Sequence, residues 1–67
     1  MSKRLVRKIA EVLPHAAEVR VDIDSSWQRW YVIVEVPTRR PGVAVFGSFA
    51  SQADAEAALA KAQEMAA

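Results

Sequence analysis

The sequence predicts an α+β domain of the order α-β-β-β-α, a three-stranded antiparallel sheet with two helices packed on one face. Three observations lead there. Apolar residues recur at helical spacing at both ends of the 67-residue chain, they alternate with polar ones through the middle, and short Pro/Gly or Asp/Ser clusters separate the alternating runs. Each strand has one continuous apolar side, so both helices must cover the same sheet face and leave the other open.

The first helix is expected from about Ser2 to Leu13, with Leu5, Ile9, Val12 and Leu13 as its apolar stripe. Pro14 disfavours helical geometry in the residue before it and ends the element; His15-Ala16-Ala17 is a connection. Residues 18–24, EVRVDID, alternate strictly. Val19, Val21 and Ile23 point one way, and Glu18, Arg20, Asp22 and Asp24 the other. Asp24-Ser25-Ser26 supplies a turn, because short polar side chains bond their own backbone.

Residues 28–36, QRWYVIVEV, form the strand richest in β-branched residues and belong at the sheet centre. Trp30, Val32, Val34 and Val36 share the core side; Arg29, Tyr31, Ile33 and Glu35 share the open side. Pro37 ends the strand, and Pro41-Gly42 fits the central positions of a type II turn. In residues 43–49, VAVFGSF, alternation places Val43, Val45 and Phe49 inward and Ala44, Phe46 and Ser48 outward. Gly47 then lies on the core side, where a helix backbone could approach. A bulge at Gly47 would instead move Phe46 inside.

Ser51 followed by Asp54 is a capping-box-like start, and a helix from Gln52 to about Ala66 follows. Asp54 and Glu56 favour its positive end. Ala55, Ala58, Leu59, Ala62 and Met65 form its expected buried face, whose small residues let it lie close to the sheet.

Length allows one domain spanning residues 1–67. Without cysteine and with one histidine, thiol redox chemistry is excluded and a structural zinc site lacks ligands; no cofactor or metal is expected. No apolar run reaches membrane-spanning length. The basic N-terminal stretch is interrupted by Glu11 and Pro14 before a secretory apolar region could form. The expected location is the cytoplasm, the host's if the chain is phage-encoded. Net charge is +1, too small for a global field, but its distribution is polar. Residues 1–13 carry Lys3, Arg4, Arg7 and Lys8 against Glu11, whereas residues 51–67 carry Asp54, Glu56 and Glu64 against Lys61.

Enzymatic constellations are close to absent, and the chain is read as a non-enzyme. A nucleophile needs a neighbouring base, and the one imidazole, His15, sits at a helix end. Ser25 and Ser26 are turn formers. Asp22 and Asp24 share a strand face, as an acid–base or cation pair would, but no third ligand accompanies them. Trp30 reads as a core anchor, and Trp27 as a residue at the core edge or the rim of the open face.

From Trp30 onward, WYVIVEVPTRRPGVAVFGSFASQADAEAALAKA resembles the three-strands-plus-helix unit of the plant ethylene-response DNA-binding domain and of integrase arm-binding domains. Those families end the last strand with an aromatic, a serine or threonine, and an acidic-alanine helix start, matched here by Phe49-Ala50-Ser51 and Asp54-Ala55. The full element order is similar to that of the double-stranded-RNA-binding domain. The resemblance implies an open sheet face that reads a DNA groove, or basic residues at the last helix. This face carries Asp22, Asp24 and Glu35 beside Arg20 and Arg29, and the last helix starts without a base. The nucleic-acid surface these families use is therefore largely missing.

The leading expectation is a protein-binding module. Tyr31, Ile33 and Phe46 are its apolar anchors on the open face, with Arg20, Asp22, Arg29 and Glu35 as orienting charges. Cofactor-free chains of this size and style are common among phage and mobile-element proteins that block host machinery, anti-CRISPR proteins among them, which suggests inhibition by steric occlusion. The alternative is a nucleic-acid-binding domain using Lys3, Arg4, Arg7, Lys8, Arg29, Arg39 and Arg40. A third expectation is a homodimer through an edge strand, 18–24 or 43–49.

Overall fold

In the computed structural model, which describes residues 2–67, the chain runs helix, three strands, helix. Helix α1 spans Lys3–Val12, and Ser2 caps it by accepting from the Leu5 N–H at 3.3 Å. Its buried residues are Val6 and Ile9, with Leu5, Val12 and Leu13 half-buried beside them. The stripe expected from spacing thus lies one position off its true centre and omits Val6. The helix also stops short of Leu13. Pro14 begins no new α-helical hydrogen bond, and Leu13–His15 tighten into a single 3-10 turn closed by Ala16 N–H to Leu13 O at 3.1 Å.

Strands β1 (Glu18–Asp24), β2 (Arg29–Glu35) and β3 (Val43–Phe49) form one antiparallel sheet in the order β1-β2-β3. The β1–β2 turn follows its sequence chemistry. Asp24 Oδ1 accepts from Ser26 N–H at 3.0 Å, Trp27 N–H bonds Asp24 O, and Gln28 takes the left-handed φ of 55° that ends the turn. In the β2–β3 loop the hydrogen-bonded turn is Val36–Arg39, closed by Arg39 N–H to Val36 O at 3.0 Å, rather than the one expected around Pro41-Gly42, where the backbone only bends and Gly42 takes φ +90°. Val36 N–H bonds Gly42 O at 2.8 Å across the loop's base.

Pairing of β1 with β2 sets Val19 opposite Val34, Val21 opposite Val32 and Ile23 opposite Trp30, all on the core side. Ile23 is still 40% exposed, because it lies at the hairpin's far end. Strand β3 departs from the parity its alternation predicts. Val34 faces Ala44 and Val32 faces Phe46, so Ala44 and Phe46 pack against the core. Val43 and Val45 oppose Glu35 and Ile33 on the open side, 43% and 58% exposed. The ladder then shifts. Between Val32–Phe46 and Trp30–Phe49, the two residues Gly47 and Ser48 oppose the single residue Tyr31. This bulge flips the side-chain alternation, so half-buried Phe46 and buried Phe49, three residues beyond it, both turn to the core side.

Helix α2 (Gln52–Ala66) starts where the cap predicts. Ser51 Oγ accepts from Asp54 N–H at 3.1 Å, and Ala55 N–H bonds Ser51 O. Ala55, Ala58 and Ala62 are completely buried, which brings the helix backbone close to the sheet. Met65, expected on that face, is 54% exposed in the last turn, beside Lys3 and Val6 of α1. Both helices lie on one sheet face. A single core joins Val6 and Ile9 of α1, Val32 and Val34 of β2, Val36, Phe49 and the three α2 alanines. Among the described residues no polar side chain is buried in it, so the core specifies its shape by packing alone. No helix is long and apolar enough to cross a membrane among the described residues.

Candidate functional site

The sheet face away from the helices carries the principal candidate. Register assigns it Arg20, Asp22 and Asp24 from β1, Arg29, Tyr31, Ile33 and Glu35 from β2, and Val43, Val45 and Gly47 from β3. Six of the seven residues expected here are present. Phe46 is the exception, since its side chain packs inward, and the apolar role expected of it falls to Val43 and Val45. Charge collects on the β1 side and apolar surface on the β3 side. Asp22, Ile23, Asp24, Ser25, Tyr31, Ile33 and Val45 line a shallow depression of about 560 Å³ at their junction.

Gly47 places Tyr31. A Cβ on this glycine would collide with the ring, lying 2.8 Å from Tyr31 Cε1 and 3.2 Å from the Trp30 carbonyl oxygen. The missing side chain is therefore the slot in which the tyrosine ring lies, and no helix approaches there. This is the cross-strand covering of a glycine by an aromatic neighbour. The ring is half-buried there.

The charges are mostly engaged within the sheet. Arg20 Nη1 reaches Glu35 Oε1 at 3.4 Å, with both side chains about 40% exposed. Such a solvated pair is worth about 0–1 kcal/mol, so it orients two side chains more than it stabilises the fold. Arg29 Nη2 donates to the Ser48 carbonyl at 3.2 Å, satisfying an acceptor that the bulge takes out of the ladder. Asp22 Oδ1 accepts from Ile23 N–H at 2.8 Å, and Asp24 Oδ1 is the turn acceptor already described. These carboxylates serve the backbone. Among the described residues no group of three or more His, Cys, Asp or Glu side chains could hold a metal ion. His15 is exposed in the turn after α1, on a different element from Ser25, Ser26 and both aspartates.

The basic residues do not gather into one surface. Lys3, Arg4, Arg7 and Lys8 are all exposed on the outer side of α1, where they line a depression of about 380 Å³ with Glu11. Arg29 is on the opposite, open face of the sheet. Arg39 and Arg40 are exposed in the β2–β3 loop. One base that the sequence reading counted within the acidic C-terminal segment lies with the basic helix instead: Lys61 of α2 joins Lys3 and Arg7 around a depression of about 360 Å³, with Glu64 opposite in charge. Helix packing brings it there, and no linear spacing signals it. Trp27 stands 74% exposed at the β1–β2 turn.

Comparison with known proteins gives no match to any family model, curated protein or solved structure. Among the described residues the one imidazole, His15, lies on a different element from Ser25 and Ser26. The open face combines the Tyr31 ring over Gly47, a β-branched strip and a charged flank.

Proposed function

We propose that the chain is a non-enzymatic protein-binding module whose working surface is the open sheet face. One observation carries this reading. Tyr31, Ile33, Val43 and Val45 lie side by side on a sheet face that no helix covers, flanked on one side by charges of both signs. Apolar surface flanked by polar residues is the usual anatomy of a recognition patch. A domain with this face and no reacting groups acts by occupying its partner's surface, so the mechanism is steric occlusion. Its narrower form, an inhibitor of host machinery encoded by a phage or mobile element, rests on size and style.

The test is affinity capture of the tagged chain from its native cells, with and without nuclease, beside the variant Ile33→Glu. Ile33 lies on the central strand of the face, and circular dichroism checks that the variant stays folded. A protein retained through nuclease treatment and lost with Ile33→Glu supports the reading. A partner that Ile33→Glu retains places the site elsewhere and overturns it.

A second reading has one observation in its favour: Lys61 adds a fifth base to the cluster on the helical side, suiting a phosphate backbone. Material captured only without nuclease, with affinity falling steeply as salt rises, selects that nucleic-acid reading.

A further inference from the structure

The two edges of the sheet are built differently. Strand β1 is charged at Glu18, Arg20, Asp22 and Asp24, the common protection of an exposed edge against pairing. Strand β3, VAVFGSF, has no charge and no proline. Ser2 and Leu5 of α1 line a depression with Ser48 and Phe49 at the end of β3, and the Val43 and Val45 side chains at its start are exposed.

Hydrogen-bond parity shows what that edge presents. Val36 N–H bonds Gly42 O in the same register that sets Glu35 opposite Val43 and Val34 opposite Ala44. Bonded and non-bonded pairs alternate along an antiparallel ladder. Ala44 and Phe46 therefore exchange bonds with Val34 and Val32, and the N–H and C=O groups of Val43 and Val45 point off the sheet. Four polar backbone groups sit in a row on a regular, uncharged edge, beside two exposed valine side chains.

We propose that two copies of this chain pair through β3, antiparallel about a two-fold axis at Ala44. Val43 N–H then donates to the second copy's Val45 O, and Val45 N–H to its Val43 O. Symmetry repeats both, so all four groups of each copy's regular segment are satisfied, and the bulge stays outside the joint. On the open face each valine meets a valine, and on the core face alanine meets alanine, the small residue suited to the close non-bonded pair. Charge complements the same direction. The loop carrying Arg39 and Arg40 before β3 comes alongside the second copy's β3 end, from which the chain enters α2 at Asp54 and Glu56. An isologous contact of this kind closes at two copies and leaves only the charged β1 strands as edges.

Pairing also completes the open face. In one chain the apolar strip runs out at an unprotected edge, with charge on one side only. In the six-stranded sheet, order β1-β2-β3-β3-β2-β1, the strip is doubled at the centre and both rims are charged. The edge carries this inference by itself and does not depend on that face binding a protein.

Sedimentation and a cross-link test it. The natural chain at millimolar concentration should have about twice its 7.4 kDa mass, and Val45→Lys, a change at an exposed side chain, should return it to the single-chain mass. The sequence has no cysteine, so Ala44→Cys under mild oxidation should form a covalent dimer. The control Ser26→Cys, in the far turn, should not. In the unaltered chain the Val43 and Val45 amides should exchange with solvent more slowly as concentration rises. A single-chain mass at millimolar concentration overturns the proposal. A dimer that Val45→Lys leaves intact, or equal cross-linking of Ala44→Cys and Ser26→Cys, overturns it as well.

Discussion

The slot over Gly47 can be tested by filling it. Gly47→Ala adds a Cβ 2.8 Å from Tyr31 Cε1, whereas carbon atoms pack best at about 3.5–4.0 Å. The intrusion is therefore roughly 0.7 Å or more. Overpacking of this order costs about 1–3 kcal/mol. The tyrosine is on an open face and can swing toward solvent, so the lower half applies, about 1–2 kcal/mol. Gly47 does not require positive φ, so alanine at this position also gains about 0.4–1 kcal/mol by restricting the unfolded chain. That gain is the same whether or not Tyr31 is present, and a double-mutant cycle removes it. Gly47→Ala, Tyr31→Ala and the double variant, unfolded in urea and followed by tryptophan fluorescence, should show a coupling of about 1–2 kcal/mol. In the Tyr31→Ala background the glycine change should be near neutral, retaining only the Trp30 carbonyl contact at 3.2 Å. Additive effects would mean that the ring does not lie over Gly47, and the aromatic part of the proposed surface would lose its support.

Phe46→Ala should destabilise the domain by about 2–3 kcal/mol, below the full cost for a completely buried phenylalanine because this one is half-buried. Val45→Ala, at an exposed side chain, should stay within about 0.5–1 kcal/mol; urea midpoints in the reverse order would restore the parity that simple alternation gives. Ser51→Ala should cost about 1 kcal/mol by removing the acceptor for Asp54 N–H. Loss of helical circular dichroism at a lower temperature is the measurement, and an unchanged midpoint would show that the cap is not needed.

The elements themselves are legible in the sequence because each is signalled by local chemistry: Ser51 with Asp54 for the last helix, Asp24-Ser25-Ser26 for the first turn, and strict alternation for β1 and β2. Their faces are legible wherever the alternation is unbroken, so Arg20, Asp22, Tyr31, Ile33 and Glu35 lie where the pattern puts them. Helix packing is less so. Val6 and Leu5 are adjacent on α1, and which of them centres the buried stripe depends on the crossing with α2, a distant partner in the chain. Lys61 beside Lys3 and Arg7 is hidden for the same reason.

Strand β3 is where local reading fails, and its own composition explains why. Phe46 and Phe49 are three residues apart, and a regular strand cannot turn both to one side. Keeping strict alternation buries Val43, Val45 and Phe49 but leaves one large aromatic in water. Inserting one residue turns both phenylalanines to the core side, Phe49 buried and Phe46 half-buried, and exposes two smaller valines, so the larger apolar area goes inside. The insertion needs a position that tolerates an irregular ladder with an aromatic lying on it, and Gly47 is that position. It also frees a carbonyl, and Arg29 reaches across to Ser48 to satisfy it. Two aromatics at odd spacing around a glycine, with an arginine at the start of the neighbouring strand, are thus the sequence signal for the bulge. The same exchange that turns Phe46 inward leaves Val43 and Val45 beside an uncharged edge. A device that improves the core thereby creates both the apolar side of the open face and the edge proposed to pair.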